Sequence, residues 1–239
     1  MNGEDARRLS YLHAMGIQAW RRRDEAGKPS ALCRDEPPAV EAGDGVAAGA
    51  GWESLRAQVS SCTRCGLHAQ RTQAVFGVGN RRAQWLVIGE GPGADEDRQG
   101  EPFVGRAGKL LNNMLRAIGL EREAVYIANI VKCRPPNNRE PTPEEAATCM
   151  PFLARQIALV QPRIILAVGR VAAQNLLKTD RAVGALRGRR FEHADTGIPV
   201  VVTYHPAYLL RSPQEKRRVW QDLLFAKGTL SSAMKESTA

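Results

Sequence analysis

Long apolar runs are missing from this 239-residue chain. Nothing approaches the roughly 20 residues a bilayer span needs, and the first residues lack the hydrophobic core of a signal peptide. A membrane protein is therefore not expected, and a cytoplasmic one is. Aromatics make up only 5% of the residues, with five Phe, and there are four His and five Cys. In a reducing compartment so few cysteines point to metal or cluster ligation and away from a disulfide framework. Two nucleotide-binding signatures are absent as well. The turn Gly89-Glu90-Gly91-Pro92-Gly93 does not fit Gly-x-Gly-x-x-Gly, no Gly-Lys-Ser/Thr opens the helix after it, and Asp95, Glu96 and Asp97 would repel phosphates.

What is present centres on Trp85–Leu111. Trp85-Leu86-Val87-Ile88 has the length and branching of a buried parallel strand. The glycine turn lets the backbone bend sharply and approach a ligand. A helix is predicted from about Ala107, with Leu110, Leu111, Met114, Leu115 and Ile118 on one face. A strand feeding a helix through such a turn puts the loop at the carboxyl edge of a sheet, where open α/β folds bind ligands. Alone, the pattern fits an ordinary tight turn equally well.

Charge is uneven. Residues 1–51 carry seven Lys/Arg and eight Asp/Glu, so the rest of the chain holds a net +10 of the +9 total. Much of it is arginine near loops, including Arg134, Arg139, Arg187, Arg211, Arg217 and Arg218. Such a surface suits a polyanion, because each phosphate neutralised releases counterions.

Residues 1–25 read as an amphipathic peptide, 26–51 as a disordered linker rich in Ala, Gly, Pro and acid, 52–228 as the folded domain, and 229–239 as a disordered tail. In the domain, strands are predicted at Gln84–Ile88, Val125–Val131, Ile164–Val168 and Pro199–Thr203, alternating with helices. Thr142-Pro143-Glu144-Glu145 and Ser212-Pro213-Gln214-Glu215 are capping boxes with proline at the first helical position. The expected fold is α/β: a three-layer α/β/α sandwich around a short, mainly parallel four-stranded sheet with right-handed connections.

Cys62, Cys65, Cys133 and Cys149 are spaced Cys-x2-Cys, a long gap, then Cys-x15-Cys. Four thiolates can hold zinc or a [4Fe-4S] cluster. The wide second pair leans towards the cluster, with unligated buried thiols as a third reading; Cys33, in the linker, is a bystander.

Three strand-end motifs then read together: Gly89-Glu90-Gly91-Pro92-Gly93, Ala128-Asn129-Ile130 leading to Cys133, and His205-Pro206-Ala207-Tyr208-Leu209-Leu210-Arg211. With the cysteine spacing, the set closely resembles the family-four uracil-DNA glycosylases, the iron–sulfur type of bacteria and archaea, from about Trp52 to Lys227. The resemblance implies a repair hydrolase, expected to act as a monomer, that flips uracil out of single- or double-stranded DNA and cuts its N-glycosidic bond. It also implies a [4Fe-4S] cluster on the four cysteines. His205 would donate to uracil O2 as negative charge forms there. Asn129 would donate to O4 and accept from N3–H, rejecting cytosine. Phe103 would stack on the base, and the backbone of Gly91 and Gly93 would help hold O2. Glu90 would orient water or stabilise the sugar cation. The best-studied uracil glycosylases carry an Asp where this chain has Gly91, which leaves the role of Glu90 less defined; family four shares the glycine. Glu96 would crowd C5 against thymine. Leu209 and Leu210 suit a wedge into the gap left by the base, at least one of them being expected instead to begin the final helix's buried face, with Arg134 and Arg211 on phosphates.

The N-terminal Leu-x-x-Met-Gly-Ile-x-x-Trp is similar to the tail by which the psi subunit of bacterial DNA polymerase III docks on the clamp loader, which implies a replication partner. Three rivals remain in view. A related iron–sulfur protein that traps uracil covalently needs a His in an inserted basic loop, and Arg134–Thr148 has none. A non-catalytic iron–sulfur accessory protein would bind DNA and leave no abasic sites. A zinc-stabilised binding domain would be colourless.

Overall fold

The structure, a computed structural model, describes residues 45–236, with side-chain surroundings for residues 51–233. The expectations for the 1–25 peptide, for Cys33, for residues 26–44 and for the last three residues lie outside the described part.

The first helix, α1 (Gly45–Ser60), begins inside the stretch that composition reads as linker. Its Trp52, Leu55 and Val59 recur at helical spacing and are 3%, 0% and 1% exposed. Then come β1 (Val78–Gly79), β2 (Trp85–Gly89), the short α2 (Ala94–Gln99), α3 (Arg106–Ala117), β3 (Tyr126–Asn129), α4 (Pro143–Val160), β4 (Ile164–Val168), α5 (Arg170–Leu177), α6 (Val183–Leu186), β5 (Arg190–Glu192), β6 (Pro199–Thr203), α7 (Pro206–Arg211) and α8 (Lys216–Glu236).

The sheet has six strands in the order β1-β3-β2-β4-β6-β5, not the four expected. The four expected strands are its parallel centre, β3-β2-β4-β6. The additions are two- and three-residue antiparallel edges, β1 on β3 and β5 on β6. Neither edge has a run of buried side chains to announce it, since the residues of β5 alternate exposed and half-buried.

Each central strand buries both faces. Leu86 and Ile88 face a layer with Trp52, Phe152 and Leu176 of α1, α4 and α5. Trp85 and Val87 face Leu115, Leu209 and Leu223 of α3, α7 and α8. Three layers result, as the near-continuous apolar strands require.

Two local expectations fail for physical reasons. The tail from residue 229 is not disordered up to Glu236: α8 continues through it, and Leu230, 8% exposed, packs with Val219, Leu223 and Ala226 on one helical stripe. Burying one such side chain is worth about 1.5–3 kcal/mol, enough to favour another turn. Ser212 does not form the second capping box. Pro213–Glu215 is a 3-10 turn, and Glu215 pairs with Arg218 at 3.1 Å. The first box forms as read: Thr142 Oγ1 accepts from Glu145 N–H at 3.2 Å, and Glu145 Oε2 accepts from Thr142 N–H at 2.8 Å.

Candidate active site and the four-cysteine cavity

The four parallel strands all end at one edge, and the chain leaves β2 for opposite sides of it, towards β3 and β4. The residues that end the strands, Glu90, Asn129, Gly169 and His205, line a single cleft of about 720 Å³. Gly91, Gly93, Phe103 and Arg211 line it too. So do Arg139, named among the arginines suited to a polyanion, and Glu140, Arg170, Tyr204 and Tyr208, to which the sequence reading gave no place in the site. A strand-end rule alone could have found Arg170, one residue past Gly169 at the end of β4.

Asn129 is 2% exposed, and its Oδ1 is the one buried side-chain oxygen or nitrogen among the described residues without a hydrogen-bond partner. Leaving such a group unmet costs roughly 1–3 kcal/mol. The amide is held in place by exclusion: a Cβ on Gly89 would fall 2.5 Å from Oδ1 and 2.5 Å from Phe103 Cζ. Glycine at 89 thus makes room for both groups side by side. Phe103 itself has φ 55°, a left-handed backbone unusual for an aromatic residue. Arg122 secures that bend by donating to the carbonyls of Pro102 (2.6 Å) and Phe103 (3.3 Å).

His205 precedes α7 and caps it. Its Nδ1 accepts from Ala207 N–H at 3.1 Å, so the ring proton belongs on Nε2. The ring stacks on Phe103, with centroids 5.6 Å apart and planes 30° apart. Burial, with Arg211 adding to it and Glu96 opposing, pulls its pKa down to about 4. At neutral pH His205 is an uncharged imidazole with a fixed tautomer.

Glu90 stands opposite. Burial first, then repulsion from Glu140, raise its pKa to about 7, while Arg170 pulls the other way. Arg170 and Glu140 form an ion pair on the same wall. Glu96 turns out to be a strap across the loops. Its Oε2 accepts from Gly93 N–H (3.1 Å), and its Oε1 accepts from Val104 and Gly105 N–H (3.0 and 3.1 Å). The Gly93 N–H is thereby occupied, which corrects its assignment to O2 and leaves Gly91 for that role.

Leu209 is not a wedge. It is 1% exposed and sits in the core with α3 and α8, because α7 turns that side inward. Leu210 is 39% exposed and could serve, but it does not line the cleft. Arg134 is half-buried and held by its own loop through Asn138 Oδ1 at 2.7 Å, off the cleft wall. His193 is 5% exposed, folded under a turn where its Nδ1 meets Thr196 Oγ1 at 3.0 Å.

Away from the cleft, Cys62, Cys65, Cys133 and Cys149 line one small cavity with Val59 and Phe152, and all four are free thiols. Basic groups surround them: Arg71 donates to Cys133 Sγ at 2.9 Å, the Lys132 backbone N–H to Cys149 Sγ at 3.4 Å, and Arg64 lies over Phe152. Burial raises the Cys133 pKa and lifts that of Cys149 to about 11. Among the described residues no three His, Cys, Asp or Glu groups are arranged to hold a metal ion. Lys132, 1% exposed, runs between the two sites, its Nζ donating to the Asn129 carbonyl (2.8 Å) and to Gln156 Oε1 (2.6 Å).

A sheet-edge cleft lined by an amide and an imidazole defines a class before it defines a member. Residues 76–224 match the family model described as the uracil DNA glycosylase superfamily. The chain is 46% identical over 171 residues to a type-4 uracil-DNA glycosylase of Archaeoglobus fulgidus, covering 69% of this chain and 86% of that protein. It is also 46% identical to one of Thermotoga maritima (73% and 92% covered) and 40% identical to one of Pyrobaculum aerophilum (72% and 90%). Within that superfamily, the chain belongs to the type-4 uracil-DNA glycosylases.

Proposed function

We propose that the cleft receives a uracil nucleotide flipped out of DNA and that Asn129, Phe103 and His205 read and activate its base. The overall reaction is uracil excision in DNA repair, a hydrolysis that releases free uracil and leaves an abasic site. The observation that carries the assignment is the orphaned Asn129 Oδ1, a buried acceptor facing the same cleft as the imidazole. Uracil N3–H supplies the missing donor, and O4 meets the amide nitrogen. Cytosine offers an acceptor at N3 and a donor at C4, leaving both mismatched.

Extrusion costs a few kcal/mol and is least costly for an unpaired or mispaired base. The base slides against Phe103. As the C1′–N1 bond lengthens, its electrons pass to the ring and collect on O2, where the Nε2–H of neutral His205 donates. A preset donor of this kind is worth about 3 kcal/mol of barrier. Because the imidazole pKa lies near 4, it donates a hydrogen bond and does not give up a full proton. Glu90, as carboxylate, faces the sugar and balances the positive charge at C1′ or aligns the water whose oxygen bonds there. That water's proton leaves to solvent or to Glu90.

Cys62, Cys65, Cys133 and Cys149 would hold a [4Fe-4S] cluster. The donor set fits: four thiols line one cavity, and the Arg71 guanidinium and the Lys132 backbone N–H beside them would offset the charge of a thiolate-bound cluster. When bound it supplies a rigid cross-link among three segments, and no electron transfer is needed for hydrolysis. Arg139, Arg170 and Arg211, which line the cleft among Glu90, Glu96 and Glu140, would meet the DNA backbone.

The test is alkali cleavage after incubation with U:G, U:A and single-stranded uracil oligonucleotides. Abasic-site formation that is lost in Asn129→Ala and His205→Ala supports the reading. Tight DNA binding by the wild-type chain with no abasic sites would favour the accessory-protein alternative.

A further inference from the structure

The cleft extends well beyond what one pyrimidine between Asn129 and His205 needs. Its outer wall carries a layered arrangement that the uracil chemistry does not use. At the root is Asp222, 1% exposed, accepting from Thr203 Oγ1 at 2.7 Å and from Arg187 Nε and NH2 at 2.8 and 2.9 Å. The anchored Arg187 guanidinium lies 4.9 Å from the Tyr204 ring centroid. Tyr208 packs on Tyr204 with centroids 5.0 Å apart. Guanidinium and two phenol rings are thus successive neighbours, the rings tilted 44° to each other, and the last ring is 36% exposed at the cleft rim. An exposed, rigidly backed aromatic ring beside a nucleotide site has the form of a stacking platform. Backing by an ion pair means that little side-chain freedom is lost when something stacks there. Arg211, three residues on and so on the same side of α7, lines the cleft as well.

We propose that Tyr208 is a second nucleobase subsite: its open ring stacks on the base next to the uracil, while Arg211 meets the intervening phosphate. This rests on uracil occupying the Asn129–His205 end. The subsite takes any base, because every base offers a π face, and it serves best where the neighbour is unpaired. It makes single-stranded DNA a substrate in its own right and replaces Leu209, which is buried, as the group that engages the strand beside the flipped nucleotide.

The test pairs protein variants with substrate variants, in the full-length protein. Wild type, Tyr208→Ala and Tyr208→Phe are assayed on a single-stranded uracil oligonucleotide. They are also assayed on two versions bearing a tetrahydrofuran abasic analogue on the 5′ or the 3′ side of the uracil. Tyr208→Ala raises KM on the intact strand about tenfold, the scale of one base–aromatic stack, and changes kcat less; Tyr208→Phe stays near wild type. Removing the neighbouring base on one side raises the wild-type KM to the same degree, and there Tyr208→Ala adds nothing. A Tyr208→Ala penalty equal on all three substrates, or no penalty at all, overturns the proposal. Unchanged thermal melting of Tyr208→Ala separates the effect from misfolding. Absence of excision by wild type on every substrate would instead sink the uracil reading itself.

Discussion

Asn129 and Cys133 are four residues apart on one strand and its loop, yet they open into cavities of opposite character. The first cavity presents an amide oxygen with nothing to bind, set among rings that crowd it into place. The second gathers four thiols, and burial favours the protonated form of two of them, Cys133 and Cys149. An unsatisfied but rigid acceptor suits a visitor that must leave. Thiols that a bound metal converts to thiolates suit an occupant that stays with the fold. Reading versus riveting is the division of labour between the two ends of this loop, and it can be broken experimentally.

The largest effect belongs to the reading end. His205→Ala or Asn129→Ala should lower kcat/KM on uracil DNA about 10²–10³-fold, the usual loss for one oriented donor. The visible absorbance of the proposed cluster should be unchanged. Gly89→Ala should follow closely. Its Cβ drives into Asn129 and Phe103, so uracil excision falls by about tenfold or more, again with the absorbance intact. Cys149→Ser should reverse the pattern: the absorbance and several degrees of melting temperature go first, and activity declines only as the fold does. If activity vanished while melting stayed put, the division would fail.

The smallest effect is a pH limb. On the proposed role of Glu90 as a carboxylate, kcat/KM should climb through pH 7, its folded pKa, and Glu90→Gln should flatten that limb at a lower plateau. The stability sign is opposite. With the folded pKa above the unfolded value near 4.5, the native state holds the extra proton between those pH values and loses stability as pH rises through 7. Glu90→Gln should therefore raise the melting temperature at pH 8 relative to wild type, and much less so at pH 5.

Strand-and-helix alternation was legible because the four central strands are apolar on both faces and each ends in a glycine, an amide or an imidazole. Of the residues that converge, Glu90, Gly91, Asn129 and His205 were legible for the same reason: they end strands or follow them closely. Phe103 was legible as an isolated aromatic in a polar loop. The edges β1 and β5 were not, since two or three residues paired along one side carry no period to read. Leu209 and Leu210 look alike in sequence, and only the orientation of a six-residue helix separates core from surface. His193 sits in a polar stretch, and a tight turn through Gly197 buries it. Tyr204 and Arg187 found their places through Asp222, a contact 35 residues away that no local pattern encodes.

The vacancy at Asn129 has one more effect. Its geometry is fixed whether or not a sugar is attached, so the liberated base meets the same acceptor and the same imidazole as the substrate did. Free uracil should therefore compete for the cleft, and turnover is governed in part by how quickly the enzyme lets go.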